Sequence, residues 1–326
     1  MNKSFFISRQ LQVITLLSVV TASLALFSSA SYAADKGWPE QISVGYQKYG
    51  SLIILKATGE LEKRFKEHGV NVTWAEFQFG PPLLEAMNAG KVDFGNVGET
   101  PPVFGQAAAG SSIVYVANSP ASPKGEGLLV KADSPLKSVT ELKGKKVAVA
   151  KGSNSHYFLI QALAKEGLTL SDITPAYLPP AEGRAALEQG HVDAWSVWDY
   201  FYASAEIQSG ARPLTDGEGI VDNHNFYLSR RPFVEQYPDA LKVVLEEVRK
   251  TEEWVKTNPV AAAESLSKQT GVDAKILERA IRRSNYGPEY LKPEVIAAQQ
   301  KIADTIHAIG LIPKAIIVKD AVWQPQ

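Results

Sequence analysis

The residues of this chain that could do chemistry gather where strand-like runs give way to helix-like ones. Ser51, Gly80, Thr100, Ser153-Asn154-Ser155 and Asp199 each stand at such a junction. The first turn of a helix carries N–H groups without intrahelical partners and a partial positive charge, so it holds anions without Lys or Arg. Gly80, Gly98 and Gly152 would let an anion approach the backbone closely. A single junction of this kind is ordinary helix capping; several along one edge point to a small anionic ligand. Aromatic residues crowd the same places, with Tyr46, Tyr49 and Phe79 early and Tyr157, Trp195, Trp198, Tyr200, Phe201 and Tyr202 later. Rigid rings make apolar walls, so the expected ligand has an anionic head and an apolar tail. Alternation along Asp193–Asp199 puts Trp195 and Trp198 on opposite faces. Trp195 is the expected wall and Trp198 is expected in the core.

Two acids complicate an anion site. Glu99 and Asp199 repel an anion unless they are paired or turned away. Asp199 reads first as a helix cap; either acid could also hold a ligand ammonium or pair with Arg184. Two carboxylates alone do not make acid–base catalysis, which needs tuned pKa values and a defined geometry. His156 follows the Ser-rich turn and could donate to an oxyanion. His68, His191, His224 and His307 lack metal-ligand spacing, and there is no cysteine in the chain. A nucleophile elbow, a phosphate loop and a dinucleotide fingerprint are all missing. Neither a metal nor a cofactor is expected.

The elements that must position these residues follow from periodicity. Two passages echo each other at an offset of one hundred residues, EAMNAGKVDFGNVGE from Glu85 and AALEQGHVDAWSVWD from Ala185. Each reads as a helix end, a Gly in the left-handed conformation, a Val-Asp turn and a buried strand. Strands are expected at 42–47, 72–77, 92–97, 113–117, 146–150, 174–178, 192–198 and 226–229. A helix is expected from Leu52 to about His68, and others after Gly80, Thr100, Ser155, Pro180 and Asp199. From Pro238 onward the chain reads as mostly helical, with Leu241, Val244, Leu245, Val248 and Val255 forming a core stripe. Strands alternating with helices imply an α/β protein of two lobes with largely parallel sheets. The Pro- and Gly-rich stretch 118–127 and the turn-rich stretch 216–223 read as crossings between lobes. The expected division is 34–120 with 222–326 as one lobe and 121–221 as the other.

The first residues stand apart. Lys3 and Arg9 precede an apolar stretch, and Ser31-Tyr32-Ala33 offers small residues to a signal peptidase, so 1–33 is expected to be a cleaved secretory signal. The 326 residues carry a formal charge of −1, which argues against nucleic-acid or polybasic membrane partners. Export would permit disulfides; without cysteines, stability rests on the core alone.

At these junctions the sequence resembles a known family. YQKYGSLIILKATGELEKRF, FQFGPPLLEAMNAGKVDFGNVGETPPVFGQAAAG, KGSNSHYFLIQAL and VDAWSVWDYF are similar to the periplasmic aliphatic sulfonate-binding proteins, substrate-capture subunits of ABC importers. The resemblance runs through FYLSRRP to the C-terminus. It implies a type II periplasmic-binding fold, a hinge between lobes, a periplasmic location, a monomer, and a permease–ATPase complex as partner. Carried over one by one, it implies ligand contacts at Gln47, Gly80, Gly98, Glu99, Thr100, Ser153, Asn154, Ser155, His156, Trp195 and Asp199, with Glu99 standing where the family usually has Asp. Taurine, nitrate and a pyrimidine precursor remain alternative ligands. Enzymes of similar fold that cleave sulfinates use a cysteine nucleophile, which this chain lacks.

Overall fold

The computed structural model describes residues 37–325; the expected signal segment 1–33 lies outside them. The described chain builds two five-stranded sheets flanked by helices. In the first, β1 (Gln41–Tyr46), β2 (Asn71–Glu76) and β3 (Phe94–Gly98) run parallel, joined through α1 (Ser51–Thr58), α2 (Glu60–Lys66) and α3 (Gly80–Asn88). After α4 (Pro101–Ala107) comes β4 (Ile113–Asn118) at the sheet edge. The second sheet holds β5 (Glu126–Val130), β6 (Lys146–Val149), β7 (Thr174–Tyr177), β8 (Ala194–Trp198) and β9 (Arg212–Asp216), with helices α5 (Asn154–Lys165), α6 (Pro180–Glu188) and α7 (Phe201–Ser209). β10 (Asn225–Arg230) then returns to the first sheet.

The sheet orders are β2-β1-β3-β10-β4 and β7-β6-β8-β5-β9. Both are mixed. β5 lies antiparallel between β8 and β9, and β10 lies antiparallel between β3 and β4. In each sheet the strand that enters after a crossing is the one that runs against its neighbours. The expected two-lobed α/β architecture with largely parallel sheets is what the structure shows: in each sheet four strands run the same way and one runs against them. The two crossings lie side by side, tied by Ser122 N to Asp222 O (2.9 Å), Ser119 N to Asn225 O (2.8 Å) and Asn223 Nδ2 to Ser122 O (2.9 Å).

The hundred-residue echo is a repeated piece of backbone carpentry. Gly90 and Gly190 take φ of 71° and 74°, and the residues after them close the helix ends, Lys91 N to Ala86 O and His191 N to Ala186 O. Asp93 then donates its N–H to Ser43 O and accepts Ser43 N on its carboxylate, both at 2.8 Å; Asp193 does the same with Lys146, at the same distances. Each Asp therefore pins its strand to the start of a neighbouring parallel strand, at the edge opposite the helix starts.

One expected element is divided. The helix expected from Leu52 to His68 breaks at Gly59, which takes φ 68° and ends α1 before α2 begins. α8 (Arg231–Gln236), α9 (Pro238–Thr257), α10 (Pro259–Thr270), α11 (Ala274–Arg283) and α12 (Pro293–Ala308) complete the fold. The α9 stripe is buried as expected, against α1, α2 and the outer face of the first sheet. Among the described residues no helix is long and apolar enough to cross a membrane.

Candidate functional site

A cavity lies where the C-terminal ends of β1, β3 and β8 meet the two crossings. Gln47, Gly80, Gly98, Ser153, Asn154 and Asp199, all expected from the sequence, line it. In parallel strands, side chains just past the strand ends face the crevice, which is why these junctions converge. Among the described residues no Lys or Arg lines the cavity. The donors are neutral: Gln47 is held by its Nε2 on Asn96 O (3.2 Å), and Asn223, Asn225, Asn285 and Tyr286 join it.

The helix starts differ in what they offer. α3 begins Gly80-Pro81-Pro82, so two N–H groups of its first turn are missing. At α5, Ser153 caps the helix by accepting His156 N at 3.3 Å, and the N–H groups of Asn154 and Ser155 remain at the helix start. At α1, Gly50 stands at the cap with φ 98° and no side chain competes for the free N–H groups. Ser51, a cap by residue type, does not cap α1; its hydroxyl turns inward to Tyr227 and Glu252.

Asn154 bridges the lobes. Its Oδ1 accepts Thr100 N at 3.2 Å, and its Nδ2 donates to Asn223 Oδ1 at 2.8 Å. It lies so close to the first lobe that a Cβ on Gly98 would sit 1.9 Å from its Nδ2. The glycine at 98 is thus a requirement of close approach, not of backbone angle.

Five expected contact residues are placed behind the cavity wall. Trp195 is 1 % exposed and packs against Gly183, Leu187 and Tyr202. It sits second in β8, within the sheet and under the α6 and α7 layer, whereas Trp198 ends the strand and reaches the cavity, edge-on to Phe201 at 6.0 Å. The expected roles of the two tryptophans are exchanged, because position along the strand outweighs ring chemistry. Ser155 and His156 fall on the inward face of α5 and are fully buried. His156 Nδ1 accepts Gly152 N at 3.3 Å, so its proton is on Nε2, inside the lobe, and burial holds its pKa down to about 4. It is a neutral structural imidazole and not an oxyanion donor. Thr100 is buried with only its N–H engaged across the lobes.

Glu99 also turns away from the cavity. Its Oε2 accepts His224 N at 2.9 Å, and its carbonyl accepts Gln299 Nε2 at 2.6 Å. Burial, with Asp222 adding to it, lifts its pKa from 4.5 to about 8 against the opposing His224 and Asn223 N–H groups. Glu126, buried nearby and without a hydrogen-bond partner among the described residues, is pushed up by burial and then by Glu99. From about 4.5 upward the unfolded chain releases the Glu99 proton that the folded chain still holds. This contribution is therefore complete at low pH and is lost as pH rises toward about 8, at up to roughly 1.4 kcal/mol per pH unit. Glu99→Gln should flatten the fall in melting temperature between about pH 5 and about pH 8. An unchanged slope would assign the fall to other groups.

Asp199 does reach the cavity, but it is not paired with Arg184. Arg184, on the same lobe, is engaged instead by Glu188 and Ser204. Asp199 accepts Ala203 N at 2.9 Å and meets Arg283 Nη1 at 3.4 Å, while the Arg283 guanidinium stacks 4.0 Å over Tyr202. Burial raises the Asp199 pKa to about 6, against the pull of Arg283. Its charge is thus largely answered from α11. Sequence reasoning missed Arg283, and also Tyr227, Glu252, Ser119 and the Ser284-Asn285-Tyr286 turn, all of which line or back the cavity. Two signals were present: the polar run Asn223-His224-Asn225 before a strand, and Glu252 four residues after Val248 on the apolar stripe of α9.

The comparisons with known proteins fit this geometry. The NMT1/THI5-like family model matches residues 64–262. A protein of Escherichia coli (strain K12) named for aliphatic sulfonate binding is 39 % identical over 95 % of this chain and 97 % of its own. A Bacillus subtilis (strain 168) protein named for the same ligands is 36 % identical over 87 % of this chain and 86 % of its own. Among solved structures, the alkanesulfonate-binding protein SsuA of Xanthomonas axonopodis pv. citri, bound to MOPS, matches with a TM-score of 0.83 and 38 % identity, covering 88 % of this chain and 99 % of that one. With two mixed sheets, a cleft between them and these matches along nearly the whole chain, this protein belongs to the NMT1/THI5-like family, among the aliphatic sulfonate-binding proteins of ABC importers.

Proposed function

We propose that the chain is an extracytoplasmic solute-binding protein that captures alkanesulfonates and delivers them to an ABC importer. The observation that carries this reading is the cavity itself: neutral donors and free helix starts, no lining Lys or Arg among the described residues, and aromatic walls in Tyr49, Trp198 and Tyr286. A sulfonate is a permanent monoanion with three acceptor oxygens. Neutral donors suit it, because capture must be followed by release. A ligand touching both lobes pulls the open–closed equilibrium toward closed, and the membrane complex then meets the closed form.

In this reading 1–33 is a cleaved export signal, 34–120 with 222–326 form one lobe, and 121–221 form the other. The protein works as a periplasmic monomer beside a permease and its ATPase. Gln47, Gly80, Gly98, Ser153, Asn154, Trp198 and Asp199 face the ligand; Glu99, Thr100, Ser155, His156 and Trp195 hold the wall from behind. It acts as a receptor rather than an enzyme, a reading supported by the binding proteins it resembles along nearly its whole length.

Trp198→Ala tests the head-and-tail arrangement by calorimetry. Octanesulfonate should lose about ten-fold or more in affinity relative to methanesulfonate, in line with the apolar contact removed. An equal loss at every chain length would show that Trp198 is not a tail wall.

A further inference from the structure

Glu252 is the feature of this cavity that an anion site least explains. It sits in α9 on the buried stripe, is 3 % exposed, and lines the cavity. Every other partner it has is a hydrogen-bond donor. Ser51 Oγ donates at 3.2 Å, Ser119 Oγ at 3.0 Å, Gly287 N at 2.7 Å, and Tyr227 OH at close range. Among the described residues it forms no ion pair, unlike Asp199, which has Arg283, or Glu247, which has Arg64 and Lys250. A buried carboxylate without a countercharge is costly, and apolar groups of the same volume would join these elements at least as well. Its position asks for a role toward the ligand.

The geometry supplies one. Tyr227 OH and Ser119 Oγ give their protons to Glu252, and Ser51 shares its proton between Glu252 and the Tyr227 hydroxyl 2.6 Å away. The hydroxyl oxygens then turn lone pairs toward the cavity. That side of the cavity sets the Glu252 carboxyl and its hydroxyls beside the α1 helix start, while the Ser153–Ser155 helix start and the asparagines offer donors elsewhere. A sulfonate brings three oxygens and one charge, with carbon in the fourth position. Sulfate replaces that carbon with a fourth oxygen and adds a second charge. A fourth oxygen turned toward Glu252 would face a carboxylate and hydroxyls whose protons are already engaged, and the second charge would lie beside that carboxylate in a poorly screened site.

We propose that Glu252 is a specificity-determining residue, which with Ser51, Ser119 and Tyr227 admits monoanionic sulfonates and rejects the tetrahedral dianion sulfate. This rests on the alkanesulfonate reading above, and it places the rejection of sulfate in one side chain rather than in the apolar walls alone.

Methanesulfonate and sulfate differ at little more than the fourth substituent, so their affinities, measured by calorimetry on the full mature chain, isolate the effect. Wild-type protein should prefer methanesulfonate by about a hundred-fold or more, Glu252→Gln should narrow that ratio by about ten-fold or more, and Glu252→Asp, which keeps the charge, should hold it. A wild-type protein that binds the two within about ten-fold of each other overturns the proposal without any variant. So does a ratio that Glu252→Gln leaves unchanged. If no sulfonate of any chain length binds the wild type, the function reading itself fails; sulfonate binding with an unaltered ratio sinks only the role of Glu252.

Discussion

Gly98→Ala should lower the affinity for a long-chain alkanesulfonate by about a hundred-fold, with little change in the melting temperature. Gly98 ends β3, and its backbone angle is one that alanine adopts freely. The obstacle is across the cleft. An added Cβ would lie 1.9 Å from Asn154 Nδ2 and 2.2 Å from its Oδ1, well inside contact distance. Asn154 is a flexible side chain on the other lobe, so it can swing away and the fold survives. What is lost is its bridge to Thr100 N and Asn223, and with it the close approach of α5 to β3. A receptor whose closed form is disfavoured binds in proportion to the fraction still able to close. Isothermal calorimetry reads the loss. Asn154→Ala should add almost nothing in the Gly98→Ala background, because both remove the same bridge. Wild-type affinity in Gly98→Ala would show that the two lobes need not meet there.

Trp195→Ala should destabilise the protein by about 3–5 kcal/mol, the range for removing a large buried aromatic side chain. Trp195 is 1 % exposed and fits so closely under α6 that a Cβ on Gly183 would stand 2.6 Å from its Nε1. Gly183 and Trp195 are therefore a matched pair, the small residue making space for the large one. A cavity of that size cannot be refilled by Leu187 and Tyr202 without distorting β8, whose far end carries Trp198 and Asp199. Urea unfolding measures the cost. Trp198→Ala, at a half-buried position on the cavity wall, should cost far less stability while changing ligand preference. The reverse pattern, with Trp195 affecting tail length and Trp198 affecting stability, would contradict the exchange of roles found here.

Much of the fold was legible because its signals are local. Gly90 and Gly190 mark helix ends through a left-handed turn, and Asp93 and Asp193 follow at the same spacing, so the twin units announce two lobes. The junction residues Gln47, Gly80, Gly98, Ser153, Asn154 and Asp199 reach the cavity for the same reason: strand-to-helix turns share one edge of a parallel sheet. What the sequence left hidden depends on relations between distant segments. Trp195 and Trp198 look alike as residues, and only the layer of helices over β8 decides which one faces the cleft. Arg184 and Arg283 are equally plausible partners for Asp199 until α11 is seen to pack on α7. Ser51 is a good cap by type but is drawn off by Tyr227 and Glu252, which lie 176 and 201 residues away. Glu252 itself was visible as a charge on an apolar stripe, a local conflict of the kind that marks functional positions.

Occupation of this cleft by a sulfonate head and an apolar tail is the expectation on which the function rests. It is met most directly by titrating the mature chain with hexanesulfonate, nitrate and sulfate in one calorimetric series. Saturable, one-to-one binding of hexanesulfonate is expected, with no comparable heat from nitrate or sulfate. Binding of nitrate or sulfate as tight as that of hexanesulfonate, or no binding of any sulfonate, would contradict it.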